Sequence, residues 1–198
     1  GNQTGGYRPG SSVAADISWY YNGLNEAGEG WSFGAVMSNL GAKIGYTSDA
    51  TQRDYIPANL GLGAAYTKVF DEANKITFAL DINKLMVPTP PVFLPVDPSD
   101  PNDPAIVEND NRLRNYRDKG VVGSWFSSFG DAPGGFAEEM RELMFSAGVE
   151  YWYNDQFAVR TGYFYEDKTK GNRKFFTVGF GIKYNSAGLN FSYLGPSG

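Results

Sequence analysis

The strongest constraint on this chain is a period-two alternation of large apolar with small side chains, repeated eight times. An extended chain turns successive side chains to opposite sides, so this pattern predicts strands with two chemically distinct faces. The segments are 13–21, 31–38, 60–67, 76–83, 145–153, 157–165, 176–184 and 189–193. In the seventh, Phe176, Val178, Phe180, Ile182 and Tyr184 oppose Thr177, Gly179, Gly181 and Lys183. In the fourth, Ile76, Phe78, Leu80 and Ile82 oppose Thr77, Ala79, Asp81 and Asn83.

The second face is mostly Gly, Ala, Ser, Thr and Asn, with isolated Asp16, Asp81, Glu150, Arg160 and Lys183. Aromatics crowd the segment ends, as at Trp19–Tyr21, Tyr151–Tyr153 and Tyr163–Tyr165. An apolar outer face, a small polar inner face and aromatic ends are the pattern of an antiparallel transmembrane β-barrel. A soluble β-sandwich also alternates. It would place larger aliphatics inside and more charge outside than this chain does. No uncharged run approaches the 18 or so residues of a helical membrane span.

Composition narrows the chemistry. The 198 residues contain no His and no Cys. Ser-His-Asp and Cys-His catalysis, disulfides and thiolate metal sites are therefore absent, and no cofactor or enzymatic role is expected. With 17 basic and 22 acidic side chains the net charge is −5. That balance opposes a nucleic-acid binder, which needs a basic face. Gly1–Gly6 has neither the charged region nor the apolar region of a secretory signal, so the chain is expected to be a mature form or part of a longer one.

Turn lengths give the direction of each strand. Keeping Tyr153 and Phe157 on one face requires the three-residue loop Asn154-Asp155-Gln156. That register places Glu150 opposite Arg160 on the inner face, as an ion pair or as two independent charges. Keeping Tyr184 with Leu189 gives the four-residue loop Asn185–Gly188, and a longer charged loop spans Asp167–Arg173. In outer-membrane barrels short turns are periplasmic and long loops extracellular. With 71–74 also short, residues 87–142 become one extracellular excursion within a single domain, 1–198. A strand crossing within 121–130 would break that parity.

The excursion is distinctive. Seven of the eleven prolines lie at positions 88, 90, 91, 95, 98, 101 and 104. Proline cannot donate to a ladder, so the stretch is polyproline-like rather than a central strand. Its apolar centre, Pro91, Val92, Phe93, Leu94 and Pro95, either tucks back onto the barrel mouth or forms a docking finger for a partner protein. Asp97, Asp100 and Asp103 lack the alternating oxygens and turn glycine of a calcium loop and are expected to be solvated acids. From 120 to 144 the sequence predicts a Gly-bounded turn and one short amphipathic helix, with Asp131 as N-cap. Phe136, Met140, Leu143 and Met144 form its apolar face opposite Glu138, Glu139, Arg141 and Glu142.

Four runs, Val36–Tyr46, Arg53–Gly63, Phe129–Glu139 and Gly148–Tyr153, together resemble the PorV group of Bacteroidetes outer-membrane proteins. The resemblance implies a FadL-like barrel of fourteen strands, of which this chain is the C-terminal part. A closed eight-stranded barrel is the alternative. The end at Gly-Pro-Ser-Gly carries no aromatic terminal strand, so a further strand is expected beyond it. The resemblance further implies a non-enzymatic component of the type IX secretion system, integral to the outer membrane with loops at the cell surface. Its partners would be a SprA-type translocon barrel, cargo with C-terminal signal domains, the surface attachment complex and the lipid bilayer. Because FadL-like barrels carry hydrophobic small molecules, a fatty-acid transporter is the second reading.

Overall fold

The computed structural model describes residues 9–46 and 53–197. Eight long strands form one antiparallel sheet in the order β1 (Ala14–Leu24), β2 (Gly30–Gly41), β5 (Asn59–Val69), β6 (Asn74–Leu85), β7 (Leu143–Tyr153), β8 (Phe157–Tyr165), β9 (Lys174–Tyr184) and β10 (Ala187–Pro196). These are the eight alternating segments, extended by a few residues at most ends. The short strands β3 (Ile44–Gly45) and β4 (Arg53–Asp54) pair separately. The long sheet is open, with β1 and β10 as its edges. The eight strands do not close on themselves.

Hairpin chemistry sets the register. Asn154 and Asp155 take φ of 51° and 54°, and Gln156 N–H donates to Tyr153 C=O at 3.0 Å, which makes a type I′ turn. Tyr153 faces Phe157 and Glu150 faces Arg160. The β9–β10 turn is tighter than its expected four residues. Asn185 adopts φ 51°, the chain reverses over Asn185-Ser186, and Tyr184 faces Ala187. The register differs by two residues, so every side chain keeps its expected face.

The apolar face is exposed. Leu80 is 63% accessible, Val159 62% and Leu189 64%. Among the described residues no second long sheet covers it, which removes the sandwich. Aromatic rings form a row along this face, from Trp19 and Tyr21 through Phe33 and Trp31 to Tyr66, with Trp31 and Tyr66 centroids 5.0 Å apart.

Residues 86–142 contain no strand. They join neighbouring strands, because Lys84 pairs with Leu143. Three helices form where one was expected: α1 (Pro104–Asp118), α2 (Val121–Ser127) and α3 (Phe136–Arg141). The Asp103 carboxylate caps α1 by accepting from Ala105 N–H at 2.8 Å, and Pro104 occupies its first turn. Helix α2 replaces the expected turn. Its Val-Val-Gly start is a weak helix former, and the buried Ser124 and Ser128 hydroxyls donate back to Val121 and Trp125 carbonyls. Helix α3 is shorter than expected, since Leu143 and Met144 belong to β7. Asp131 does not cap it. Glu139 instead accepts from Ala132 N–H at 2.9 Å and Glu138 from Gly134 N–H at 2.7 Å.

The chain divides into two compact units. One comprises Gly1–Asp16, Ser38–Asn59 and Leu85–Glu139, the other Ile17–Met37, Leu60–Lys84 and Met140–Gly198.

Candidate functional site

In the first unit the proline-rich segment is bound by side chains, not by a ladder. Met86 and Pro88 are buried, and Met86 N–H donates to Ala58 C=O at 2.8 Å. Thr89 donates to the Asp131 carboxylate through N–H at 3.3 Å and hydroxyl at 3.0 Å. The other Asp131 oxygen faces Lys119 Nζ at 3.7 Å, an ion pair longer than a hydrogen bond. Arg112 Nη1 donates to Val92 C=O at 2.9 Å. Leu94 N–H donates to Asn109 Oδ1 at 2.7 Å, while Asn109 Nδ2 donates to Leu94 C=O at 2.9 Å. Asp97 N–H donates to Asp103 Oδ2 at 2.7 Å. The segment thus runs back along α1 in the opposite direction.

Of the expected docking residues, Val92 is 62% exposed and Phe93 53%; Leu94 is also exposed. Asp97, Asp100 and Asp103 each begin an Asp-Pro-X triplet and accept the N–H two residues on, from Ser99, Asn102 and Ala105 at 2.8–2.9 Å. These stacked turns explain their spacing. The donated hydrogen bonds, from Ser99 to Asp97 and from Asp97 and Ala105 to Asp103, hold both carboxyls below the usual range.

Lys43 and Tyr55, from the runs 36–46 and 53–63, form a latch on α1. Tyr55 hydroxyl lies 2.9 Å from Tyr116 C=O and 2.8 Å from Lys119 C=O. Lys43 Nζ donates to Lys119 C=O at 2.8 Å and to Arg117 C=O, and sits 4.2 Å from the Tyr55 ring centroid. A cation and a hydroxyl therefore satisfy carbonyls that the helix leaves unpaired at its negative end. Burial, with nearby Tyr116 and Asp118, pushes the Tyr55 hydroxyl up to about 12. Burial lowers the Lys43 ammonium despite Asp118. Asn39 bends the chain here with φ 56°, its N–H bound to Asp16 at 2.7 Å and its amide to Pro57 C=O at 3.1 Å. Sequence reasoning missed Asn109, Arg112, Lys43 and Tyr55.

In the second unit the polar face of the sheet carries a groove of about 470 Å³, whose lining includes Asp81, Ser146, Glu150, Arg160, Phe164 and Thr177. Arg160 Nε donates to Glu150, and Arg160 Nη1 donates to Asn190 at 2.8 Å. Trp152 Nε1 donates to the other Glu150 oxygen at 2.6 Å. Gly181 makes room, because a Cβ there would lie 2.8 Å from Arg160 Nη1 and 2.7 Å from Asn190. Beyond the strand ends, Glu142 receives Lys84 at 2.6 Å and Lys170 at 2.9 Å, with Lys84 only 4% exposed. Burial alone would raise the Glu142 carboxyl, but the two ammonium groups outweigh it and hold it low. Arg173 grips Glu166 with two bonds, at 2.7 and 2.9 Å, and keeps that carboxyl low as well.

Two features follow from these contacts. One unit displays a braced apolar segment; the other has an exposed apolar face backed by a polar one. Residues 3–92 match the family model of the type IX secretion system protein PorV. The match supports the family resemblance across a little under half of the chain and includes the runs 36–46 and 53–63; the runs 129–139 and 148–153 lie outside it. No curated protein matches the chain.

Proposed function

We propose that this PorV-like chain is part of a non-enzymatic outer-membrane component of the type IX secretion system. In this reading the component binds a SprA-type translocon barrel, receives cargo bearing a C-terminal signal domain, and passes it to the surface attachment complex. The observation that carries the reading is the PorV match over residues 3–92. Membrane residence is supported by strands of nine to twelve residues whose apolar, aromatic-bordered face is exposed. No helix of the described residues is long and apolar enough to cross a membrane. The sheet's free edges fit further strands, as in a fourteen-stranded FadL-like barrel. Residues 87–142 then lie at the cell surface, with Pro91–Pro95 as the docking finger.

The test is a pull-down of the intact protein from its own membranes in mild detergent, with mass spectrometry of what co-purifies. A giant barrel and secreted proteins sharing a C-terminal domain are expected. A protein carrying only fatty acid or lipid would promote the transporter reading. That alternative is disfavoured by Asp81, Glu150 and Arg160 on the groove, which interrupt an apolar path. Replacing Phe93 and Leu94 together with Ser is expected to stall cargo while the barrel still folds. Normal secretion would remove the finger from the mechanism.

A further inference from the structure

We infer that helix α1 is a splint for the docking finger, and that the finger is read through its side chains by a protein pocket that is apolar inside and basic at its rim. This inference rests on the docking reading above and specifies its partner. The first observation is where the backbone groups go. Val92 C=O is taken by Arg112, both polar groups of Leu94 by Asn109, and Asp97 N–H by Asp103. A partner that added a strand to this segment would need those groups free. Asn109 already occupies the Leu94 pair as a neighbouring strand would. With the α1-facing edge of the backbone occupied in this way, we assign recognition to the Val92 and Phe93 side chains, both more than half exposed.

The second observation is charge. Asp97, Asp100, Asp103, Glu108 and Asp110 surround the finger's far end and the start of α1, against Arg112, which is paired with Glu108 at 3.0 Å. That surplus of carboxylates repels an anionic membrane surface and favours a basic rim on the partner. The third is preorganisation. Prolines 90, 91 and 95 narrow the backbone from within, and Asn109 and Arg112 fix it from outside, so ordering cost on binding is small. Asn109 is thus a positioning residue that touches no partner.

The experiment uses the intact protein in the outer membrane of secreting cells, with a photoreactive phenylalanine analogue at position 93. Cross-linking to a protein is expected. Asn109→Ala is expected to lower the adduct yield about tenfold, the scale of two lost hydrogen bonds that hold a binding conformation. Arg112→Met should act in the same direction and Glu72→Ala, in the exposed turn between β5 and β6, should leave the yield unchanged, with heat-modifiable migration on gels reporting a folded barrel in each case. If Asn109→Ala leaves the yield unchanged while Phe93→Ser stalls secretion, the splint is wrong and the docking reading stands. If Asn109→Ala raises the yield, the partner pairs with the freed Leu94 backbone and side-chain reading is wrong. If the adduct is lipid, or Phe93→Ser secretes normally, the docking reading falls and this inference falls with it.

Discussion

The β7–β10 meander and the 86–142 excursion are built by opposite means. In the meander the backbone satisfies itself through continuous ladders, and large side chains are left outside. In the excursion the backbone has few ladder partners, and side chains from α1 and the adjoining loops supply them. A ladder tolerates side-chain change on its exposed face as far as the solvent there allows. A side-chain-braced segment fails one residue at a time. The contrast teaches where each kind of mutation should act.

The largest effect should come from charging the exposed face. Leu80→Arg, mid-strand and 63% exposed, would cost about 2–4 kcal/mol in a bilayer, the scale for a cation at the midplane of a barrel. Urea unfolding in liposomes measures it; a neutral result would mean that this face meets water. Next is the latch. Lys43→Met strips a donor from the carbonyls of Arg117 and Lys119 and should cost roughly 1–3 kcal/mol in local stability. Hydrogen exchange or limited proteolysis at the end of α1 reports it, while β7–β10 should stay protected.

A subtler handle is alkaline pH. The Tyr55 hydroxyl keeps its proton to about 12 in the folded chain, above the ordinary value of 10. Between those values the unfolded chain releases the proton and the folded one does not, so stability is full below pH 10 and declines above it. Tyr55→Phe should flatten that decline, read as α1 protection against pH. The smallest effect is expected at Arg160→Met. The pair with Glu150 is about one-third exposed, so its loss should cost only about 0.5–1 kcal/mol. Gly181→Ala should act similarly by crowding Arg160 and Asn190; thermal melting of both variants compares them.

The same contrast explains what could be read in advance. Period-two alternation is written in the side chains themselves, so eight strands, their faces and the Tyr153–Phe157 register were legible. The β9–β10 register was not, because parity cannot distinguish shifts of two residues, and only the left-handed Asn185 selects the shorter turn. Helix α1 carries a local signal, Asp103 followed by Pro104, that the surrounding prolines obscured. Helix α2 carries almost none, since its Val-Val-Gly start is a weak helix former and the burial of Ser124 and Ser128 is set by tertiary structure. Asn109 was invisible because its role depends on Leu94, fifteen residues earlier, being folded against it.

The pairing of Lys84 with Leu143 also fixes a sequence of events. Strands β7 and β8 meet across three residues and β9 and β10 across two, whereas β6 and β7 must close a loop holding the whole excursion. By chain-entropy scaling that closure costs roughly 2.5 kcal/mol more than the short ones. The C-terminal meander should therefore assemble first as a local nucleus, with the β6–β7 seam closing later. A chaperone or insertion machine that meets this chain in transit would then encounter one finished edge at β7 waiting for its neighbour.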